Sequence, residues 1–200
     1  MRRIVAFNRV SADGYFATAD GNLGWVVPDQ EIDKLGGEAV PGSDNMILFG
    51  RRTYDMFESF WPHVVGDSPT APDPHAPGRQ SPELRAMGVW INEATKVVFS
   101  RTRKGVTWKN SRLLHEFEPR AVEALKREPG RDIMIFGSGS IASQLTEHGL
   151  IDEYQFIAGP LLLGSGRSLL SGVPKTVKLN LLEARPYPSG NVMLRYARAK

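Results

Sequence analysis

The stretch from Arg131 to Gly149 constrains the fold of this chain more than any other part of it. It contains a run of four apolar residues, Ile133–Phe136, followed by Gly137-Ser138-Gly139 and a helical pattern. A continuous apolar run is typical of a strand buried on both faces, and the glycines allow a sharp turn after it. Ser140 can cap the following helix and Gly149 can end it in the left-handed conformation. The stretch therefore predicts a strand, a glycine turn and a helix.

A strand that ends in glycines and opens a helix suits a phosphate group, because it exposes backbone N–H groups at the positive end of the helix dipole. Gly137-x-Gly139-x-x-Ala142 also matches the dinucleotide fingerprint, although a plain tight turn is an equally good interpretation. The Rossmann fold would need this motif early in the chain and an acidic residue ~20 positions later, where Phe156–Gly159 stands instead. We therefore expect a nucleotide on a fold of another kind.

The same architecture occurs earlier, where the apolar strand Met46–Phe49 ends in Gly50 and Arg51-Arg52-Thr53-Tyr54 opens a helix. The arginine fork suits a phosphate because it donates two parallel hydrogen bonds, and solvated surface arginines are the alternative. A third buried strand, Lys96–Ser100, is followed by Arg101. Ligands of open α/β sheets bind at the carboxyl ends of the strands, so we expect these three strand ends to line one crevice.

The composition indicates an ordinary soluble, globular chain of 200 residues, with 41% hydrophobic and 24% charged residues and no long apolar run. We expect one domain over residues 1–200, with no membrane span. The absence of cysteine excludes disulfides and thiolate nucleophiles, and it fits the cytoplasm. The basic residues behind the pI of about 9.3 are scattered, which argues against nucleic-acid binding. The spacing of His63, Asp67, Asp73 and His75 matches no metal site.

Strands and helices alternate through most of the chain and predict an α/β sandwich with a mixed sheet. The residues Val106–Trp108 suggest a short strand. The segments Val177–Ala184 and Val192–Ala197 alternate around a turn, which predicts a C-terminal antiparallel hairpin. The segment Pro62–Pro82 carries six of the 14 prolines, which predicts a lid or a mobile excursion.

Several motifs, taken together and in this order, resemble those of a known superfamily. They are Ala6-Phe7, Ser11-x-Asp13-Gly14-Tyr15, Trp25-x-x-Pro28-Asp29, Gly50-Arg51-Arg52-Thr53-Tyr54, Val98–Arg101 and Ile135–Ser140. The chain resembles dihydrofolate reductases over about residues 1–170. It is more similar to the reductase domain of riboflavin biosynthesis, the RibD C-terminal domain. The resemblance implies an α/β, dihydrofolate reductase-like three-layer sandwich with a mostly parallel central sheet and a C-terminal antiparallel hairpin.

The resemblance also implies NADPH as the cofactor and assigns residues to it. The residues implied to contact the cofactor are Ala6, Gly50, Arg51, Arg52, Thr53, Ser100, Arg101, Gly137, Ser138, Gly139, Ser140 and Ile141. The residues of the two glycine turns, 50–53 and 138–141, would hold the pyrophosphate. Arg51 or Arg52, with Ser100 and Arg101, would hold the 2′-phosphate.

The implied catalytic residues lie in the first loop and at the start of the first helix. The loop from Asp13 to Trp25 would close over nicotinamide and substrate, with Tyr15 against the ligand. Dihydrofolate reductases bind the pterin with an acidic residue at the start of the first helix. Asp29 stands close to the corresponding position, one residue closer to the tryptophan, and Glu31 and Asp33 are the alternative candidates. We expect Asp29 to orient or protonate the substrate, provided that Trp25 forms an apolar wall that raises its pKa. A bound water is the alternative proton donor.

The resemblance implies that the chain is an NADPH-dependent reductase of a small heterocyclic or carbonyl substrate. By its likeness to dihydrofolate reductase and to 5-amino-6-(5-phosphoribosylamino)uracil reductase, that substrate would be pterin- or pyrimidine-like. The alternative is a non-catalytic nucleotide-binding module that retains only the cofactor crevice. The deaminase half of the riboflavin enzyme is absent. We also expect a homodimer, because the C-terminal hairpin carries alternating apolar residues at a sheet edge.

Overall fold

The computed structural model describes residues 1–37, 42, 44–64 and 82–199. The strands within these ranges are β1 (Ile4–Ser11), β2 (Tyr15–Ala17), β3 (Met46–Gly50), β4 (Thr95–Phe99), β5 (Ser111–Leu114), β6 (Ile133–Phe136), β7 (Glu153–Gly159), β8 (Arg167–Ser168), β9 (Leu179–Pro186) and β10 (Val192–Arg198). The helices are α1 (Gln30–Gly37), α2 (Arg51–Val64), α3 (Pro82–Glu93), α4 (Pro119–Arg127) and α5 (Gly139–Glu147).

Eight of these strands form one sheet in the order β5-β4-β3-β6-β1-β7-β10-β9. The strands from β5 to β7 are parallel, and β10 and β9 continue the sheet as an antiparallel hairpin. A separate antiparallel pair joins β2 to β8. The predicted mixed sheet with a C-terminal hairpin is therefore confirmed.

Helices cover both faces of this sheet, as the alternation along β3 illustrates. Met46 and Leu48 point into a core formed with α4 and α5, whereas Ile47 and Phe49 point into a core formed with α2 and α3. All four side chains are fully buried, and each such burial is worth about 1.5–3 kcal/mol. The continuous apolar run of a parallel strand thus serves two cores and creates a three-layer sandwich.

The strand order determines where the loops gather. Because β4, β3, β6 and β1 are parallel neighbours, their carboxyl ends lie at the same edge of the sheet. Each chain segment that leaves this edge starts beside the others, so the residues after four strands can share one site. This edge is the topological position where open α/β sheets bind ligands.

One local prediction was wrong. The segment Val106–Trp108 forms no strand, because the Trp108 side chain is buried under the sheet and its Nε1 donates to Asn92 Oδ1 at 2.8 Å. The adjacent strand is β5 instead. The lid or excursion predicted at Pro62–Pro82 lies for the most part outside the described residues, which resume at Pro82, the start of α3. Residues 62–64 complete α2. None of the described helices is long and apolar enough to cross a membrane.

Candidate functional site

A large cleft of about 2000 Å³ follows the carboxyl edge of the sheet. The turns after β3, β4 and β6 line it, together with residues of α1, α2 and α3. The predicted convergence of the three strand ends is therefore observed. The residues predicted to contact the cofactor that line the cleft are Gly50, Arg51, Arg52, Thr53, Ser100, Arg101, Gly137, Ser138, Gly139 and Ser140.

The two glycine turns are locked together by side chains. The Gly50 N–H donates to Ser138 Oγ at 2.9 Å, and the Ser138 N–H donates to Thr53 Oγ1 at 3.1 Å. A Cβ on Gly50 would lie only 3.3 Å from Ile141 Cγ1, so the close approach requires glycine there. The amino ends of α2 and α5 consequently open side by side into the cleft.

The turn before α5 adopts a strained conformation. Gly137 and Ser138 have φ angles of 59° and 57°, in the left-handed region that disfavours residues with a Cβ. Ser138 occupies the position before the helix, where Ser140 was expected, and its hydroxyl bonds Gly50 rather than its own helix. The N–H groups of Ile141 and Ala142 donate to the Ser138 carbonyl oxygen at 2.8 and 2.9 Å. Ser138 provides no side-chain cap, so the N–H groups of Gly139 and Ser140 are the ones that can bind an anion.

Three arginines surround the phosphate-like end of the cleft. Arg51, Arg52 and Arg101 are exposed and line it, and in the described part of the chain no carboxylate forms an ion pair with any of them. The nearby Arg103 is already neutralised, because it pairs with Asp55 and Glu58. The end of the cleft beside β3 and β4 is therefore electropositive and suited to a phosphate.

The Ser100 hydroxyl shapes the turn that carries one of these arginines. Ser100 Oγ accepts hydrogen bonds from the N–H groups of Thr102 at 3.3 Å and Arg103 at 3.0 Å. The Ser100 side chain is buried beneath this turn. Its observed contacts thus position the loop of Arg101.

Ala6 and Ile141 do not reach the cleft with their side chains. Both are almost fully buried in the core between the sheet and α5, with exposures of 1% and 4%. The alternation of β1 turns Ala6 toward this core, and the helical periodicity of α5 does the same for Ile141. Only their backbone atoms could approach a ligand.

Asp13 organises the loop after β1. Its carboxylate accepts a bond from Ser11 Oγ at 2.6 Å and bonds from the N–H groups of Leu163 and Gly164 at 3.1 and 2.7 Å. The bond from Ser11 and those from the backbone lower the pKa of Asp13. These hydrogen bonds favour the ionised form of Asp13, and they tie two distant loops together outside the cleft.

Tyr15 and Trp25 do not line the cleft. Tyr15 pairs in β2 with Ser168, and the adjacent Phe16 faces the cleft beside Gly139 instead. The Trp25 ring lies against Gly159 at the end of β7. Phe16 and Ala17, rather than Tyr15, form the part of the cleft wall that β2 contributes, and the contact expected between Tyr15 and a ligand stays a prediction.

Asp29 lines the cleft as a buried cap of α1. Its Oδ1 accepts bonds from the N–H groups of Glu31 and Ile32 at 2.8 and 3.1 Å. Burial raises the pKa of the carboxyl, but the hydrogen bonds from Ser189 and from the two helix N–H groups outweigh it, so the pKa is lowered. The premise that burial would make Asp29 an acid at neutral pH is therefore wrong.

One end of the cleft, defined by the aromatic and methionine side chains below, is apolar and was not identified from the sequence. Five aromatic side chains line it: Phe7, Phe57, Trp61, Trp90 and Phe136. The rings are in contact, and Phe57 stacks on Phe136 with a centroid separation of 5.9 Å. Four methionines, Met56, Met87, Met134 and Met193, add flexible walls. This end can enclose a flat conjugated molecule.

Two polar residues of β1, Asn8 and Arg9, also line the cleft and were missed by sequence reasoning. Asn8 is 2% exposed, yet both polar atoms of its amide lack a hydrogen-bond partner. Arg9 has one unpartnered nitrogen, Nη1. The available signal was two consecutive polar residues at the end of an otherwise apolar strand.

Comparison with known proteins agrees with this architecture. A family model described as the RibD C-terminal domain matches residues 2–193. The chain is 27% identical to an uncharacterized protein of Bacillus subtilis (strain 168), YyaP, over 98% of this chain and 94% of that protein.

Solved structures show the same fold. A Shewanella sp. PV-4 protein whose name refers to riboflavin biosynthesis superposes with a TM-score of 0.69 at 21% identity, covering 99% of both chains. Dihydrofolate reductase from Enterococcus faecalis, complexed with NADP(H), superposes with a TM-score of 0.59 at 12% identity, covering 99% of this chain and 97% of that one. The predicted dihydrofolate reductase-like fold is confirmed.

Proposed function

Because the chain belongs to the RibD C-terminal domain family, we propose that it is an NADPH-dependent reductase of a small heterocyclic or carbonyl compound. Membership of this family supports an oxidoreductase in general. The cofactor and the substrate class are the finer part of the proposal. The observation that carries them is the pairing of an electropositive, glycine-lined end of the cleft with an apolar, aromatic end.

The glycine-lined end suits the phosphates of NADPH. The amino ends of α2 and α5 converge where Gly50 and Ser138 are hydrogen-bonded, so their N–H groups can bind a pyrophosphate. Arg51, Arg52 and Arg101 stand beside them without a carboxylate partner among the described residues. This arrangement supports selection of a cofactor with an additional 2′-phosphate.

The residues of the chain would bind, orient and desolvate the reactants. NADPH supplies a hydride when it is bound, and the apolar end of the cleft would exclude water from its acceptor. Hydride transfer leaves negative charge on the acceptor's heteroatom, which then needs a proton. Since the pKa of Asp29 is lowered, that carboxylate stays ionised at neutral pH. We therefore assign Asp29 to positioning α1 and the proton to water.

The second candidate is a nucleotide-binding module without turnover. It is favoured by one observation, namely that Asp13, Tyr15 and Trp25 lie outside the cleft and Asp29 is ionised. Saturable NADPH oxidation with a member of a pterin, pyrimidine and carbonyl panel would support the reductase. Tight NADPH binding with no turnover across that panel would support the module.

The cofactor assignment is tested by replacing single arginines with alanine and measuring nucleotide binding. Arg101→Ala should weaken NADPH binding roughly tenfold and leave NADH binding nearly unchanged, because one charge-assisted contact to the 2′-phosphate is lost. The measurement is fluorescence titration with both nucleotides. Arg127→Ala on α4, an exposed arginine outside the cleft, is the matched control. Equal losses for both nucleotides would remove the 2′-phosphate assignment.

A further inference from the structure

Arg9 is a buried cation without a complete set of partners. Its side chain is 20% exposed and lines the cleft where β1 faces α1. Nη2 donates to Asp33 Oδ1 at 3.2 Å, whereas Nη1 is buried and has no hydrogen-bond partner. A guanidinium carries five N–H donors, so most of this group's capacity is unused.

The charge of Arg9 is also only partly compensated. Asp33 is half exposed, with 49% of its side chain in contact with solvent. Asp29 is close enough to attract Arg9, but its oxygens already accept bonds from Glu31, Ile32 and Ser189. Burial lowers the pKa of Arg9, and the two carboxylates offset this lowering only in part. An additional oxygen acceptor would therefore stabilise this cation.

Arg9 differs from two fully buried charges of the described residues, whose hydrogen-bonding capacity is used. Lys96 is 0% exposed and donates to three carbonyl oxygens. Glu153 is 2% exposed and receives bonds from Arg3, Arg195 and Gln155. In the described ranges, the buried side-chain polar atoms that lack a partner belong to Asn8, Arg9 and Trp25. Two of these three residues, Asn8 and Arg9, line the cleft. Arg9 lies on the same face of β1 as the aromatic residue Phe7, two positions before it.

From this geometry we infer that Arg9 binds an oxygen acceptor of the substrate, a carboxylate carried on a flat conjugated ring. The aromatic and methionine walls would hold the ring, and the planar fork of Arg9 would fix its orientation. Asp33 acts as a positioning residue that holds the guanidinium in place. The inference deepens the proposed function and rests on it only for the statement that the ligand is a substrate.

The test compares aromatic carboxylates with their neutral alcohol counterparts by calorimetry, with and without saturating NADP⁺. The probes are benzoate, 2-naphthoate and quinoline-2-carboxylate, each paired with the compound that carries CH₂OH instead. Wild-type protein should bind at least one carboxylate about tenfold or more tightly than its alcohol, because the contact is charge-assisted. Arg9→Met should reduce that preference to less than about twofold. Arg9→Lys should give an intermediate value, since it keeps the charge without the fork.

Arg185→Met is the matched control. Arg185 pairs with Glu31 at 3.4 Å, and Glu31 lies on α1, the helix that also carries Asp33. Because Arg185 lies outside the cleft, its replacement should leave the carboxylate preference intact. The thermal midpoint and NADPH affinity of each variant establish that it is folded. Loss of the preference in Arg9→Met with NADPH affinity retained supports the assignment.

Several outcomes would overturn it. One is a wild type that prefers no carboxylate in the panel, and another is an Arg9→Met variant that keeps the preference. Failure of the proposed function gives a different result. The wild-type protein would then not bind NADPH, but its Arg9-dependent preference for carboxylates would persist in the absence of nucleotide.

Discussion

Two buried asparagines show how differently the same side chain can be used. The amide of Asn92 donates to the carbonyl oxygens of Trp61 and Gly88, both at 2.8 Å, and accepts a bond from Trp108 Nε1. Asn8 is at least as buried, yet neither polar atom of its amide has a partner. A buried polar group left unpaired costs about 1–3 kcal/mol. Asn8 therefore lowers the stability of the unliganded protein at the place where a ligand would contact it.

Substitution of these two residues should shift stability in opposite directions. Asn8→Leu, which keeps the branched shape, should leave the thermal midpoint unchanged or raise it by a few degrees. Asn92→Leu should lower the free energy of unfolding by about 2 kcal/mol or more, since it leaves three partners unpaired. Calorimetry on the ligand-free proteins measures both. A large loss of stability in Asn8→Leu would mean that its amide has a partner in solution.

At the scale of elements, the site depends on the contact between the start of α2 and the turn before α5. Thr53 Oγ1 accepts the Ser138 N–H, and this bond joins residues 85 positions apart in the chain. Ser138 is a non-glycine residue in the left-handed conformation. The alignment of the two helix ends therefore depends on the threonine hydroxyl together with the bond from the Gly50 N–H to Ser138 Oγ.

Thr53→Val should break this link while preserving the shape of the side chain. We expect a loss of about 1–3 kcal/mol in the free energy of unfolding, because the Ser138 N–H is left unpaired, and weaker NADPH binding. Thr53→Ser retains the hydroxyl and is the matched control, with both properties close to wild type. Denaturant unfolding and nucleotide titration provide the two readouts. Equal behaviour of the two variants would show that the hydroxyl does not hold the helix ends together.

At the scale of the whole molecule, the sheet ends in the edge strand β9, which exposes two leucine side chains. Leu181 and Leu182 on β9 are 57% and 52% exposed, and the pairing of β9 with β10 is irregular at this point. An uncovered strand edge with exposed leucines favours association with another chain. The homodimer expected from the sequence remains a prediction, and β9 is the surface we propose for it.

The dimer is tested by light scattering at micromolar concentration, which should give twice the chain mass of 22.1 kDa. Replacing both Leu181 and Leu182 by lysine should yield monomer, because charge on the edge opposes strand pairing. Leu162→Lys is the control, since this leucine is 74% exposed but lies outside the sheet. A monomeric wild type, or a dimer that persists in the double variant, would contradict this surface.

The elements that carry the site were predictable because their patterns are local. The apolar run Met46–Phe49, the glycine turn at 137–139 and the hairpin around Ser189 each encode their conformation within a few residues. The convergence of three strand ends followed from the general behaviour of parallel sheets. The strand expected at Val106–Trp108 failed because a tertiary contact, Trp108 with Asn92, decided that segment.

The sequence by itself determined the alternation of elements, the likeness to a reductase family and the glycine and arginine residues of the phosphate-like end. Only the tertiary structure decided which side chains face the cleft and in which charge state. Asp29 became an ionised helix cap, Asp13 a tie between loops, and Arg9 an incompletely paired cation. These properties depend on partners far away in the chain: Asp13 and Gly164 are 151 positions apart. Burial and pKa are sums over such neighbours, so no local pattern can encode them.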